Sequence, residues 1–316
     1  MRRPPRLAIV VPCFNEEEVL PQTIQVLKAI LLRLIQAKKV KAGSFLLFVD
    51  DGSIDRTWEI LGRAAKKEKV IKALKLSRNF GHQNALLAGM DFVAPKCDCC
   101  VSIDADLQQD PQKIEEFVDK YREGFDLVLG IRTNRKSDSL FKKTTAVVFY
   151  RLMKLLGVNV IPDHADYRLL SQRVLQEVLK FSEGNLFLRG IVSNVGFKRA
   201  HVYYEVKKRV AGKSKYSVAK MISFAWTGIT SFSTVPLRLI TFLGILIFIL
   251  SGFMSIYVLY IAIFTKRSVP GWASTVLPLY MLGGLQFLAL GIVGEYLARI
   301  YQETKKRPRY IIEEQL

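Results

Sequence analysis

Residues 6–18 read RLAIVVPCFNEEE, an apolar run of strand length that passes into an acidic cluster and then into a helical stretch reaching about residue 37. Short apolar runs of the same kind recur along the first half of the chain, at Phe45–Val49, Val70–Leu76, Cys99–Ile103 and Leu127–Gly130. Runs that alternate with helical stretches in this way are typical of a doubly wound α/β domain. The pattern therefore predicts an α/β fold with a mostly parallel sheet.

Polar clusters follow three of these predicted strands. Asn15–Glu17 follow the first strand, Asp50–Ser53 the second and Asp104–Gln108 the fourth. Ligands of open α/β sheets bind beyond the carboxyl ends of the strands, so these clusters mark the predicted site. The first strand is not followed by a glycine-rich phosphate loop, which argues against a dinucleotide-dependent oxidoreductase and a P-loop nucleotidase.

Asp104 and Asp106 are two residues apart at a predicted strand end, so both carboxylates can face one cavity. Like charges this close are costly unless a cation lies beside them. Mg²⁺ or Mn²⁺, bound by one or two carboxylates together with phosphate oxygens, would remove that cost. Taken alone, a D-x-D pattern occurs more often by chance or as a loop cap than as a metal site.

Lysine and arginine outnumber aspartate and glutamate by 47 to 28, which gives a formal net charge of +19. An excess of this size favours a polyanionic partner. Nucleic acid, an anionic membrane surface and a phosphorylated ligand all fit that description. The sequence offers no reading helix or base-stacking platform, so we expect no nucleic acid among the partners.

Two uncharged apolar runs, Leu239–Phe264 and Val269–Gly294, predict helices over about residues 237–264 and 269–295. Each is long enough to cross a hydrocarbon core of about 30 Å. Two buried helices of a soluble domain are the alternative. Basic residues flank the pair on both sides, and the positive-inside tendency then places both termini and the preceding domain in the cytoplasm. The sequence thus predicts an integral protein of the inner or plasma membrane, anchored by a transmembrane hairpin.

Two further stretches mix apolar residues with lysine and arginine at helical spacing. They are Leu140–Gly157 and Ser217–Val235. A basic amphipathic helix gains at a headgroup surface both from apolar insertion and from attraction to anionic lipid. We expect interfacial helices here, with ordinary surface helices as the alternative.

Three ordered motifs resemble those of the family 2 glycosyltransferases, which have a nucleotide-sugar-binding GT-A fold. They are PCFNE (residues 12–16), VDDGSID (49–55) and DADLQ (104–108). Further features narrow the resemblance to the polyprenyl-phosphate glycosyltransferases. These are YRLLS (167–171), RVAGKSKY (209–216) and the two apolar runs. That group includes dolichyl-phosphate mannose synthase and the bacterial GtrB-like undecaprenyl-phosphate glucosyltransferases. The resemblance covers essentially the whole chain.

The resemblance implies a donor site at the strand ends. Asp51 would accept a hydrogen bond from the nucleobase, with Asp50 as the alternative. Asp104 would bind on the ribose side, and Asp106 would hold the metal that bridges the diphosphate. The other residues that the resemblance implies for the nucleotide sugar are Pro12, Asn15, Glu17, Gln108, Arg132, Lys213 and Ser214.

The resemblance also implies an acceptor side and a catalytic set. Asp166, with Asp163 as second choice, would orient or deprotonate the acceptor phosphate. Arg209 would neutralise charge on the departing nucleoside diphosphate. Three basic residues of the first interfacial stretch would attract the lipid phosphate: Lys142, Lys143 and Arg151. His82 is expected only to cap or pack a loop.

The expected reaction is inverting transfer of a hexose, glucose in the first instance, from a UDP-sugar to undecaprenyl phosphate at the cytoplasmic membrane face. A mannosyltransferase that uses GDP-mannose, or a non-catalytic membrane sensor of nucleotide sugars, is the alternative. A processive polysaccharide synthase is disfavoured because the chain has no QxxRW motif and only two predicted spans. Similar proteins self-associate, which implies a homo-oligomer.

Four segments follow from these expectations. Residues 1–135 form the GT-A core, and 136–235 form the acceptor and membrane-interface part of the catalytic domain. Residues 236–298 hold the two transmembrane helices. Residues 299–316 form a basic cytoplasmic tail.

Overall fold

A computed structural model describes residues 1–133, 164–181, 188–206 and 272–316, with six isolated positions between 240 and 253. Both predicted interfacial stretches lie outside these residues, as does nearly all of the first predicted span.

The described residues form eight strands and seven α-helices. The strands are β1 Leu7–Cys13, β2 Phe45–Asp50, β3 Ile71–Leu76, β4 Cys99–Ser102, β5 Leu127–Arg132, β6 His164–Ser171, β7 Arg199–Tyr204 and β8 Ile312–Gln315. The helices are α1 Leu20–Gln36, α2 Thr57–Lys67, α3 His82–Val93, α4 Ile114–Arg122, α5 Gln172–Lys180, α6 Leu188–Asn194 and α7 Trp272–Thr304. A short 3₁₀ turn, Pro111–Lys113, precedes α4.

One sheet contains all eight strands, in the order β7-β5-β6-β4-β1-β2-β3-β8. Strands β1 to β4 run parallel, and β5 pairs in parallel with β7. Strand β6 is antiparallel to both of its neighbours, and β8 is antiparallel to β3. The predicted α/β fold with a mostly parallel sheet is confirmed, while the two antiparallel strands are additions that the apolar pattern does not reveal.

The centre of the sheet is covered on both faces, which explains why its strands are continuous apolar runs. Every residue of β1 and β2 is buried. Helix α1 supplies one covering face through residues at helical spacing, including Leu20, Leu27, Leu31 and Leu34. Polar residues at the carboxyl ends of β1, β2 and β4 are thereby placed together on a rigid edge.

The chain divides into two compact units. The first comprises Met1–Leu152, Asn159–Ile222 and Pro308–Leu316, and the second comprises Met153–Val158 and Ser223–Arg307. Strands β6 and β7, which fall in the predicted 136–235 segment, belong to the same sheet as β1 to β5. Helix α7 lies in the second unit. Across the described residues, no helix combines the length and apolar character that a bilayer crossing requires.

The predicted basic tail, residues 299–316, contains strand β8. Ala73 and Leu316 exchange two backbone hydrogen bonds, at 3.0 and 2.9 Å. Trp58 Nε1 donates to Glu314 Oε2 at 3.1 Å, and Lys75 Nζ lies 3.1 Å from Glu313 Oε2. The tail therefore covers the edge that β3 would otherwise expose.

Deleting residues 311–316 is expected to lower the melting temperature by several degrees. Each lost backbone hydrogen bond removes about 1 kcal/mol, and the bare β3 edge becomes a site for strand pairing between molecules. Differential scanning calorimetry and light scattering measure the two effects. Glu313→Gln is the control, since losing an exposed ion pair changes stability by less than about 1 kcal/mol. An unchanged melting temperature after the deletion would contradict this account.

Candidate active site

The ends of four strands meet at one edge of the sheet. Strands β1, β2 and β4 are parallel, so the segments that follow them leave the sheet on the same side. Strand β6 runs the other way, and Ser102 pairs with Arg168. Two residues beyond Ser102 is Asp104, and two residues before Arg168 is Asp166, so antiparallel pairing brings the two carboxylates to the same edge.

The loops after β1 and β2 are joined by side chain to backbone hydrogen bonds. Asn15 Oδ1 accepts from the N–H of Ile54 at 2.9 Å, and Glu17 Oε2 accepts from the N–H of Arg56 at 3.1 Å. In return, Ser53 Oγ accepts from the N–H of Asn15 at 2.9 Å. Asn15 and Glu17, both predicted to contact the nucleotide, thus shape the loop that follows β2.

The adjacent acids Asp50 and Asp51 are both buried, and burial raises the pKa of each carboxyl. The two oxygens of Asp51 accept from the N–H groups of Phe80 and Gly81, at 2.8 and 2.9 Å. One oxygen of Asp50 accepts from Ser53. In this structure Asp51 fixes the loop between β3 and α3, a contact that nothing in the sequence indicates.

Gly52 lets the loop after β2 approach the loop after β3. Its φ is +66°, and an added Cβ would lie 2.4 Å from the backbone carbon of Arg78. A side chain does not fit there, and the conformation itself favours glycine. The two loops are therefore packed backbone against backbone.

Gln109 holds Asp104 from two sides. Its buried amide accepts from the Asp104 N–H at 3.1 Å and donates to Asp104 Oδ2 at 2.6 Å. One residue earlier, the Gln108 N–H donates to Asp106 Oδ1 at 3.1 Å. Gln108 was predicted for the site, whereas Gln109 was missed because only the structure shows its side chain turning inward.

Asp166 is fixed by an arginine on its own strand. Arg168 is fully buried, and its guanidinium donates to Asp166 Oδ1 and to the carbonyl of Leu188, the latter at 3.3 Å. The Ser102 hydroxyl donates to the Asp166 carbonyl at 2.5 Å. Asp166 therefore presents its second oxygen from a rigid strand rather than from a loop.

His82, the first residue of α3, lies close to both Asp104 and Asp166. Its Nε2 is 3.6 Å from Asp104 Oδ1 and 3.8 Å from Asp166 Oδ2. The expectation that His82 caps or packs a loop did not include this proximity to two site acids. Helix α3, which His82 begins, packs across β1 and β2.

A scan against protein-family models matches residues 8–179 to the family described as glycosyl transferase family 2. The chain belongs to that family. This family 2 glycosyltransferase is 48% identical to the uncharacterised glycosyltransferase YkoT of Bacillus subtilis over 98% of this chain and 91% of that protein. It is 36% identical to the bactoprenol glucosyl transferase of Shigella phage SfX over 97% of this chain and 98% of that protein.

Among solved structures, the family 2 glycosyltransferase is similar to glucosyl-3-phosphoglycerate synthase from Mycobacterium tuberculosis. That structure contains Mn²⁺, UDP-glucose and phosphoglyceric acid. The two chains are 17% identical, the match covers 71% of this chain and 77% of the other, and the TM-score is 0.47.

Of the other residues predicted for this glycosyltransferase, Pro12 is buried within β1, opposite Val49. Arg132 ends β5 at the surface and donates from Nε to the Tyr204 hydroxyl at 3.3 Å. The remaining seven lie outside the described residues: Lys142, Lys143, Arg151, Asp163, Arg209, Lys213 and Ser214.

The acids of the glycosyltransferase site repel one another. Burial raises the pKa of Asp104, the charges of Asp166 and Asp106 raise it further, and His82 and Arg132 oppose the shift. Within the residues that the structure describes, no group of three or more His, Cys, Asp or Glu side chains is arranged to hold a metal ion. The carboxylate oxygens of Asp104 and Asp106 nevertheless fit a hard cation such as Mg²⁺ or Mn²⁺ whose remaining ligands are phosphate oxygens.

Asp104→Asn is expected to raise the melting temperature at neutral pH while it reduces activity. Because the folded-state pKa lies above the ordinary value of 3.8, the stability that Asp104 contributes falls as pH rises from 3.8 through the folded-state pKa. Asparagine cannot ionise, so it removes this loss of stability at neutral pH. Its side-chain oxygen still accepts a hydrogen bond from Gln109. Thermal unfolding at pH 5 and pH 7.5 tests this. The gain should be larger at pH 7.5, and a destabilised variant would contradict the prediction.

Proposed function

We propose that this glycosyltransferase transfers glucose from UDP-glucose to undecaprenyl phosphate, with inversion at the anomeric carbon. The observation that carries the proposal is the placement of Asp104 and Asp166 at one sheet edge, both within 4 Å of His82 Nε2. It is supported by the similarity, over nearly the full chain, to proteins named bactoprenol glucosyl transferases.

The donor binds on the side of β1, β2 and β4. Pro12, the β1 and β2 loops and Asp104 would contact the nucleoside. Asp106, with Asp104, would hold Mg²⁺ or Mn²⁺, which neutralises charge on the diphosphate when bound. Because side chains of each loop already accept hydrogen bonds from the backbone of the other, the nucleoside meets a preformed surface and little ordering is needed on binding.

The acceptor approaches from the side of β6. An oxygen of its phosphate attacks C1 of glucose, the bond from C1 to the β-phosphate oxygen of UDP breaks, and the electron pair leaves with UDP. The acceptor phosphate is anionic near neutral pH, so positioning and leaving-group stabilisation carry most of the barrier. Asp166 would orient the acceptor phosphate or take its remaining proton, and Asp163 is the second choice.

Further residues complete the proposal, and all of them except Arg132 lie beyond the described part of the chain. Arg209, Lys213 and Ser214 would close on the donor phosphates, and Arg132 would add charge from β5. Lys142, Lys143 and Arg151 would attract the phosphate of the lipid.

The lipid acceptor requires that the catalytic unit works at a membrane. We propose that residues of about 237–264 and 269–295 anchor it there as a hairpin, with both termini cytoplasmic and copies of the chain associated as a homo-oligomer. A soluble donor and a lipid acceptor then meet at the membrane plane. The apolar character of both runs and their basic flanks support this arrangement.

A panel of donors with purified full-length protein and undecaprenyl phosphate tests the proposal. UDP-glucose, UDP-galactose and GDP-mannose, each labelled in the sugar, are supplied with Mg²⁺ or Mn²⁺. We expect label from UDP-glucose in a chloroform-soluble product that mild acid hydrolyses, and none without acceptor or with EDTA. Transfer from GDP-mannose alone indicates a mannosyltransferase, and binding of a donor without transfer indicates a sensor.

A further inference from the structure

His82 Nε2 lies within 4 Å of a carboxylate oxygen of both Asp104 and Asp166. Gln109 occupies Oδ2 of Asp104, and Arg168 occupies Oδ1 of Asp166. The other oxygen of each carboxylate lies toward the His82 imidazole, at 3.6 and 3.8 Å from Nε2. These separations are longer than a hydrogen bond, yet a polar imidazole at this range attracts a carboxylate.

The backbone before His82 is fixed by buried residues. Asp51 accepts from the N–H groups of Phe80 and Gly81, which directly precede the histidine. Asn84 Nδ2 donates to the Phe80 carbonyl at 2.8 Å, and Gly81 takes a φ of +92°. The end of β2 therefore holds the backbone that carries His82, and 44% of the His82 side chain is exposed.

We propose that His82 is a positioning residue that holds Asp166, on the acceptor side, at a fixed separation from Asp104, on the donor side. The inference rests on the proposed function. Without the imidazole, the attraction that it exerts on both carboxylates is lost, and Oδ2 of Asp166 shifts relative to Asp104 while Arg168 still holds Oδ1. The acceptor phosphate is then misplaced relative to C1 of the donor sugar, while the nucleoside surface formed by the β1 and β2 loops is unchanged.

The test compares His82→Leu and His82→Gln with His201→Ala. Glutamine restores a polar group of similar reach, leucine does not, and His201 lies on β7. The assay gives kcat and KM for UDP-glucose and for undecaprenyl phosphate. UDP affinity from calorimetry and the melting temperature are measured on the same preparations.

We expect His82→Leu to lose about 10- to 100-fold in kcat, the scale of a misplacement near 1 Å. UDP affinity and the KM for UDP-glucose should stay within about threefold of wild type, a difference below 1 kcal/mol. His82→Gln should regain at least a third of the lost kcat, and His201→Ala should match wild type.

Wild-type kcat in His82→Leu would overturn the proposal, and so would a glutamine variant no better than leucine. If His82→Leu does not fold, a glutamine variant that loses UDP affinity in proportion to kcat overturns it as well. Absence of transfer by the wild-type protein contradicts the proposed function instead, so the two failures are distinguishable.

Discussion

Asp106→Asn is expected to reduce glucosyl transfer by about 10³-fold, because a lost charge contact to a developing anion costs roughly 3–4 kcal/mol of transition-state stabilisation. Asparagine keeps an oxygen that accepts from the Gln108 N–H, so the loop that follows β4 should fold as in wild type. Turnover with saturating Mg²⁺ or Mn²⁺, together with circular dichroism, measures both effects.

A matched control is Asp119→Asn. This change neutralises Asp119, an acid on helix α4 that is paired with Lys39. We expect this variant to keep turnover within about twofold, since losing an exposed ion pair changes stability by less than about 1 kcal/mol. Near wild-type turnover of Asp106→Asn would remove Asp106 from the proposed metal site.

Asp166→Leu is expected to destabilise the protein by about 3–5 kcal/mol and to abolish measurable transfer, because it leaves the buried Arg168 guanidinium without its carboxylate. Asp166→Asn keeps an acceptor for Arg168 and should lose less stability, yet it should still lose about 10²-fold in kcat. Urea unfolding and turnover separate the two effects.

The double variant Asp166→Leu, Arg168→Met sharpens this test. An apolar pair of similar volume replaces the buried ion pair, so we expect much of the lost stability to return. Transfer should stay absent. Recovery of transfer by the double variant would show that Asp166 has no role beyond compensating Arg168.

The strands at the centre of the sheet were predictable from sequence. Strands β1, β2 and β3 agree with the apolar runs to within one residue at either end. The reason is that strands buried on both faces read as unbroken apolar runs bounded by polar loops. The structure brings Asp104 and Asp166, both predicted for the site, to one edge of the sheet. Their roles, and that of Asp106, stay predictions.

The partners of these residues were not predictable. Asp51 bonds backbone groups of Phe80 and Gly81, and nothing local in the sequence encodes a contact about thirty positions away. A backbone N–H can bond any nearby acceptor, so its partner follows from loop packing. The sequence held one signal for His82 that was overlooked. His82 follows a glycine after the carboxyl end of β3, and site residues of α/β sheets collect at such strand ends.

Strand β8 lies far along the chain from its partner, since Leu74 pairs with Gln315. During synthesis the ribosome must pass all of helix α7 before this strand can join β3. A nascent chain that stalls earlier keeps an open strand edge, of the kind that chaperones and proteases can recognise.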